Sequence, residues 1–327
     1  MPSTTTEAPK PTVHGGDLGE AMRRFPAAPR PWIDLSTGIN PVSYPVPAMS
    51  ETAWTRLPSR AAEEALQEAA MARYGVRHRR MVVAAPGTQA LIQILPRLLP
   101  PSRVAIVGPT YEEHQTCWSR AGHEVHIVPK LENSDVVVVV NPNNPTGRLF
   151  SPKDFAGISG FLVVDEAFID FLPREMSFAS QLRSGAVVLR SFGKTYGLAG
   201  VRLGFAIASP ELAPRIREEL GPWAVPGPAL EIGRRALNDG AWLSATRERL
   251  VADTARLDGM LRQAGLEVLG GTLLFRLARH PSAAIFVQRL GQQGIHVRAF
   301  PDAPEQLRFG LPANDAAFGR LAAALGV

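Results

Sequence analysis

The chain has 327 residues, 45% of them hydrophobic and 20% charged, enough for a substantial core and for two lobes of a globular protein. Its 35 basic and 30 acidic residues leave a formal charge of +5, but the arginines are scattered and form no tract interleaved with aromatics, which argues against nucleic acid and fits small anionic substrates. A single cysteine, Cys117, excludes an intrachain disulfide and a cysteine-based metal site.

The opening MPSTTTEAPKPTV has no apolar core of the kind a secretory signal needs. LIQILPRLLPPSRVAIVG and VVVVV are too short, or too interrupted by Arg and Pro, to cross a bilayer. The expectation is a cytoplasmic protein without a membrane partner. Residues 1–12, small, polar and proline-containing, are expected to be disordered within an N-terminal arm over 1–47. The arm's sequence from His14 onward, HGGDLGEAMRRFPAAPRPWIDLSTGINPVSYPVP, is proline-rich and irregular.

RAAEEALQEAAMARYG follows, with helix formers at apolar spacing and a closing glycine at Gly75. Strands and helices then alternate: strand RMVVAAPG, helix TQALIQILPRLL, strand RVAIVGPT, helix YEEHQTCWSRAG. The strands EVHIVP, DVVVVVNP, FLVVDEAF and GAVVLRSFG come next. Short, uniformly apolar strands between helices predict an α/β fold with a mostly parallel sheet covered on both faces. We assign this large domain to 48–209. From about residue 210 the pattern changes to long helices, including AWLSATRERLVADTARLDGMLRQAG, and to the strands GTLLFRLA, IHVRAF and QLRFGL. They predict a small α+β C-terminal domain over 210–327.

Ligands on such sheets collect at the carboxyl ends of the strands. The unusual residues PGTQ, PTY, NPNNPTG, DEAF and SFGK all fall there. Among them is Lys194, in SFGKTYGLAGVRLGF, one of only four lysines (Lys10, Lys130, Lys153 and Lys194) in a chain that otherwise uses arginine. A lysine can shed its proton and act as an amine nucleophile, which a guanidinium cannot do at neutral pH. A solvated surface lysine is the plain alternative. The Gly193-Lys194-Thr195 triplet also matches the end of a nucleotide-binding phosphate loop, but that motif requires glycine where Val188 stands.

Taken in order along the chain, these motifs resemble the pyridoxal-phosphate enzymes of the class I/II aminotransferase superfamily, the fold-type-I group, from His14 to the C-terminus. The resemblance implies that Lys194 forms a Schiff base with pyridoxal 5'-phosphate and that Ser191 and Arg202 hold its phosphate. It implies that Asn144 of the N-P-T-G signature donates to the cofactor's phenolic oxygen. Asp165 is implied to keep the pyridine nitrogen protonated, so that the ring can accept electrons. Gly87, Thr88 and Gln89 open a helix whose exposed amides suit the phosphate, and Tyr111 is implied to stack on the ring. Singly, each has an ordinary structural alternative: a turn, a helix cap, a core tyrosine.

Within the superfamily, HGGDLGEA followed by IDLSTGINP resembles the opening of threonine-phosphate decarboxylases, enzymes of cobalamin biosynthesis. Phe168, where aminotransferases of this group usually carry tyrosine, points the same way. The resemblance implies that His14, Gly15, Gly38 and Asn144 touch the substrate. Arg308, in LRFG, is implied to grip a carboxylate, and Arg298, in HVRAF, a second anion. The implied reaction is the decarboxylation of L-threonine O-3-phosphate, with Lys194 and Asp165 as catalytic residues, a phosphorylated amino acid as partner, no metal, and a homodimeric assembly. A histidinol-phosphate-type aminotransferase on the same core is the alternative. Three positions depart from the pattern: Gly38 for asparagine, Gly193 for a hydroxyl residue, and Leu57 for a tyrosine that relatives send across the dimer interface.

Overall fold

The computed structural model describes residues 15–327. In chain order the strands are β1 (Ile33–Leu35), β2 (Val82–Ala85), β3 (Arg103–Val107), β4 (Glu124–Val128), β5 (Val136–Val140), β6 (Phe161–Asp165), β7 (Ala186–Ser191), β8 (Gly204–Ala208), β9 (Glu267–Thr272), β10 (Phe275–Arg279), β11 (Ile295–Ala299) and β12 (Gln306–Gly310). The α-helices are α1 (Leu18–Arg24), α2 (Glu51–Thr55), α3 (Arg60–Tyr74), α4 (Thr88–Ile94), α5 (Glu112–Arg120), α6 (Phe192–Thr195), α7 (Leu212–Leu220), α8 (Gly227–Asn238), α9 (Gly240–Gln263), α10 (Ala283–Gln292) and α11 (Asp315–Leu325). His14 and the segment expected to be disordered, 1–12, lie outside the described residues.

The larger sheet runs β2-β8-β7-β6-β5-β3-β4. Every neighbouring pair is parallel except those of β8, which runs against both β2 and β7. The all-valine β5 shows why this sheet is internal. Val137 and Val139 pack with Leu162, Val164 and Val188 on one face, while Val136 and Val138 pack with Val163, Val187 and Leu189 on the other. Period-two side chains bury both faces only if helices cover each. Full burial of each valine contributes roughly 1.5–3 kcal/mol.

Local signals set the helix ends. The Ser59 hydroxyl accepts from the Ala62 N–H at 3.2 Å at the start of α3, and Gly75 closes it in a left-handed conformation at φ 70°. In the predicted helix 88–99, Pro96 ends the α-helical geometry early, and Leu95–Leu98 is a 3-10 turn.

The smaller sheet runs β1-β11-β12-β10-β9. Two of its features were not read from sequence. Residues 33–35 of the arm pair in parallel with β11, so part of the N-terminal stretch completes a C-terminal sheet. The stretch GTLLFRLA is not one strand: β9 and β10 form a hairpin that turns at Leu273 and Leu274. Two leucines carry no turn signal. The bend is held by the Thr272 hydroxyl, which accepts from the Leu274 N–H at 3.1 Å.

Candidate active site

The carboxyl end of β2 leads through Pro86 and Gly87 into α4. Gly87 caps this helix at φ 85°, and a Cβ there would come 2.7 Å from Arg202 Nη2. β8 lies alongside: its Gly204 pairs with Ala85 on one side and with Ser191 on the other. A side chain on Gly204 would strike the Thr88 nitrogen at 2.6 Å. Bare backbone at these two glycines therefore lets the Arg202 guanidinium and β8 come close to the start of α4. Arg202 itself holds a left-handed backbone, φ 54°, after a 3-10 turn.

Lys194 lies on the single turn α6 directly after β7. Its amine stands 5.1 Å from the centre of the Phe168 ring. Burial pushes its pKa down to about 8, opposed by Asp165 and reinforced by Arg308 and Arg202.

Asp165 ends β6 with 4% of its surface exposed. Its Oδ1 accepts from the Ala167 N–H at 3.1 Å, and its Oδ2 lies 3.1 Å from His114 Nε2. A carboxylate only accepts, so that ring nitrogen carries the proton. His114 was not singled out in the sequence. The available signal was a polar residue on the buried face of α5, beside Cys117 and Trp118.

Tyr111, just before α5, donates to Gln89 Oε1 at 3.2 Å, and Gln89 Nε2 donates to Glu113 at 2.6 Å. Burial, then Glu113 and Asp165, raise the Tyr111 hydroxyl to about 12, so it stays protonated. The Gln89 side chain is thus committed to Tyr111 and Glu113.

NPNNPTG divides its labour. Asn141 bonds Phe150 in both directions, and Asn143 Nδ2 donates to Pro109 O and Thr146 Oγ1. The Asn144 Oδ1 accepts from Arg308 Nη1. Guanidinium nitrogens only donate, so Asn144 must present its Nδ2 elsewhere as a donor. Gly147 packs against β9, where a Cβ would meet Gly271 O at 2.2 Å; this contact brings the loop to the smaller sheet.

Arg308 is 8% exposed and also donates to Ser36 O at 2.6 Å, while its Nε is buried without a partner. Arg298 is its register partner across β11 and β12. Both project from the face opposite Ile295, Val297, Leu307 and Phe309, which fill the core. Burial and the nearby Arg298 lower the pKa of Arg308 to about 10.

The chain matches the family model "Aminotransferase class I and II" over residues 30–325. The chain belongs to the class I and II aminotransferase family. It is 43% identical over 325 residues to threonine-phosphate decarboxylase of Pseudomonas aeruginosa, covering 95% of this chain and 96% of that one. It is also 43% identical over 332 residues to threonine-phosphate decarboxylase of Sinorhizobium sp, with 96% and 98% covered. A crystal structure of histidinol-phosphate aminotransferase from Sinorhizobium meliloti in complex with pyridoxal-5'-phosphate shares the fold, with TM-score 0.80 at 21% identity, covering 99% and 97%.

This member of the aminotransferase family explains two of its own departures by packing. A Cβ on Gly38 would lie 2.8 Å from Phe168 and 2.9 Å from Phe275, so an asparagine does not fit beside those rings. A side chain at Gly193 would meet Ala199 Cα at 2.8 Å. Gly15 passes over Ser36, where a Cβ would come 2.4 Å from the carbonyl oxygen, and Gly16 N–H donates to Ser36 Oγ at 2.8 Å. The arm thus reaches the same residue that anchors Arg308. Leu57 is 67% exposed.

Proposed function

We propose that this chain decarboxylates L-threonine O-3-phosphate to (R)-1-amino-2-propanol O-2-phosphate, using pyridoxal 5'-phosphate, as a step of cobalamin biosynthesis. The observation that carries the reading is the register pairing of Arg298 with Arg308, with Arg308 donating to Asn144 of the NPNNPTG loop, in a chain 43% identical to two threonine-phosphate decarboxylases. A substrate with both a carboxylate and a phosphate needs two such groups, and each arginine can bind one bidentately.

The residues present fit the cofactor. Lys194 would hold its aldehyde carbon; Ser191, Arg202 and the amides of Gly87, Thr88 and Gln89 would take its phosphate. Asp165 would face its ring nitrogen, Asn144 Nδ2 its phenolic oxygen, and Tyr111 its ring. When bound, the cofactor supplies an electron sink for a bond breaking at the substrate's α-carbon. The protein's own part is orientation and proton control. Asp165, itself held by His114 and Ala167 N–H, keeps a proton on the ring nitrogen. Arg298 and Arg308, with Gly15, Gly38 and the His14 arm, hold the anionic ends so that the carboxylate bond is the one aligned to break. CO₂ leaves and one proton takes its place at the α-carbon. Lys194, its pKa brought down to about 8, can deliver that proton near neutral pH.

We also propose a homodimer, in which a second copy covers Val46, Trp54 and Leu57, all exposed here at 60% or more. Among the described residues no helix is long and apolar enough to cross a membrane.

The test is a spectrum of the protein reconstituted with pyridoxal phosphate, with CO₂ followed after adding L-threonine O-3-phosphate. A visible band that is lost in Lys194→Ala, with one CO₂ per substrate consumed, is the expected result. A visible band with amino transfer from glutamate to a keto acid, and no CO₂, would replace the reading by the aminotransferase.

A further inference from the structure

Asn40 has no role in the reading above, yet it holds the lysine turn by two hydrogen bonds. It is 2% exposed. Its backbone N–H donates to the Lys194 carbonyl at 2.9 Å, and its Nδ2 donates to the Thr195 carbonyl at 3.0 Å. The helix α6 has only four residues, so its last carbonyls have no following helical turn to bond them. The same strip of arm continues the contact, with Tyr44 N–H donating to the Tyr196 carbonyl at 2.8 Å. Gly197, at φ 64°, makes the approach possible, because a Cβ there would lie 2.7 Å from Asn40 O.

The remaining atom of Asn40 points the other way. Its Oδ1 accepts from Arg249 Nη2 on α9 at 2.9 Å and from Val42 N–H at 3.2 Å. Arg249 is braced by Asp253, 3.1 Å from its Nη1. A guanidinium only donates, so Arg249 dictates which way the Asn40 amide faces and so keeps Nδ2 on Thr195.

We propose that Asn40 is a positioning residue for Lys194, a clamp that fixes the lysine turn and ties its orientation through Arg249 to α9. The proposal rests on Lys194 being the cofactor-binding amine, and is independent of which substrate follows. Asn40 is placed to govern how the amine is presented, with no contact to a substrate, so its loss should appear in turnover more than in binding.

The variants are Asn40→Ala, Asn40→Asp, Arg249→Gln and the double Asn40→Ala/Arg249→Gln, each as holoenzyme. Asn40→Asp keeps an acceptor for Arg249 and loses the donor to Thr195, so it separates the two contacts while retaining the packing. We expect kcat to fall about tenfold in both Asn40 variants with KM moved less than about threefold. Arg249→Gln should lose less, and the double variant should be no slower than Asn40→Ala alone, since the link is already cut. The pH midpoint of the visible cofactor band, which reports on Lys194 directly, should shift in Asn40→Ala while the thermal midpoint of Asn40→Asp stays near the wild type. Wild-type kcat in Asn40→Asp, losses that multiply in the double variant, or an unmoved band midpoint would overturn the clamp. If the wild type gives a visible band but no CO₂ from L-threonine O-3-phosphate, the proposed reaction fails instead. The same variants are then compared by band midpoint and by amino transfer.

Discussion

Replacing Lys194 with methionine should make the cofactor-free protein more stable at neutral pH. The fold holds the Lys194 amine at about 8 against an ordinary 10.5, chiefly by burial, with Asp165 opposing and Arg308 and Arg202 assisting. At about 1.4 kcal/mol for each tenfold change in protonation, a drop of this size costs the fold roughly 3 kcal/mol when the amine is charged. Below about pH 8 the amine is protonated in both folded and unfolded chains, so the full cost is present and does not vary with pH. Between about pH 8 and 10.5 the unfolded chain keeps the proton that the folded one has lost, so stability rises with pH; above that window the cost is gone. Methionine has similar length and no charge, so Lys194→Met should gain about 2–3 kcal/mol at pH 7, with the gain fading toward pH 10.5. Urea unfolding of both cofactor-free proteins across that range measures it. Equal stabilities at pH 7, or a gap that does not narrow as pH rises, would refute the idea that the site carries a buried charge that Asp165 only partly compensates.

Two further outcomes follow from packing and from buried charge. Gly38→Ala should raise KM for L-threonine O-3-phosphate at least about tenfold, because its Cβ displaces Phe168 and Phe275 from 2.8 and 2.9 Å. Adding Phe275→Leu, which gives Phe168 room to swing away, should recover most of that loss, and steady-state kinetics of the pair would expose a failure. Arg190→Met should destabilise the fold by about 3–5 kcal/mol, since it leaves Glu166 and Asp170, both buried beside it, without their counter-ion. Denaturant unfolding at neutral pH checks this, and wild-type stability would contradict it.

Much of the fold was legible because its signals are local. The valine run of β5, the glycine closing α3 and the alternation of strand and helix each declare themselves within a few residues, and parallel-sheet topology places ligand chemistry at strand ends. Lys194 stood out as a rare lysine just after an apolar strand, whereas Asp165 and Asn144 gained their roles only from the resemblance of their motifs to the aminotransferase superfamily. His114 did not stand out, since a histidine inside a helix declares nothing until the helix packs and its ring meets Asp165 at 3.1 Å. The hairpin at Leu273 and Leu274 was missed because Gly271, at φ 146° where a Cβ would meet Phe275 O at 2.2 Å, was read as the start of a strand rather than as the mark of a turn.

By itself, then, the sequence determined the class of chemistry. A rare lysine, a strand-end aspartate and a glycine-opened helix are local patterns, and it was their order along the chain that carried the family resemblance and gave them roles. Only the tertiary structure decided how those groups act on one another. Burial brings the Lys194 amine down to about 8, and the register of β11 with β12 sets Arg298 beside Arg308. Two aromatic rings leave Gly38 no room for a side chain. Each of these depends on distances between residues far apart in the chain, and the free energies involved appear only when the fold closes those distances and removes the water between them.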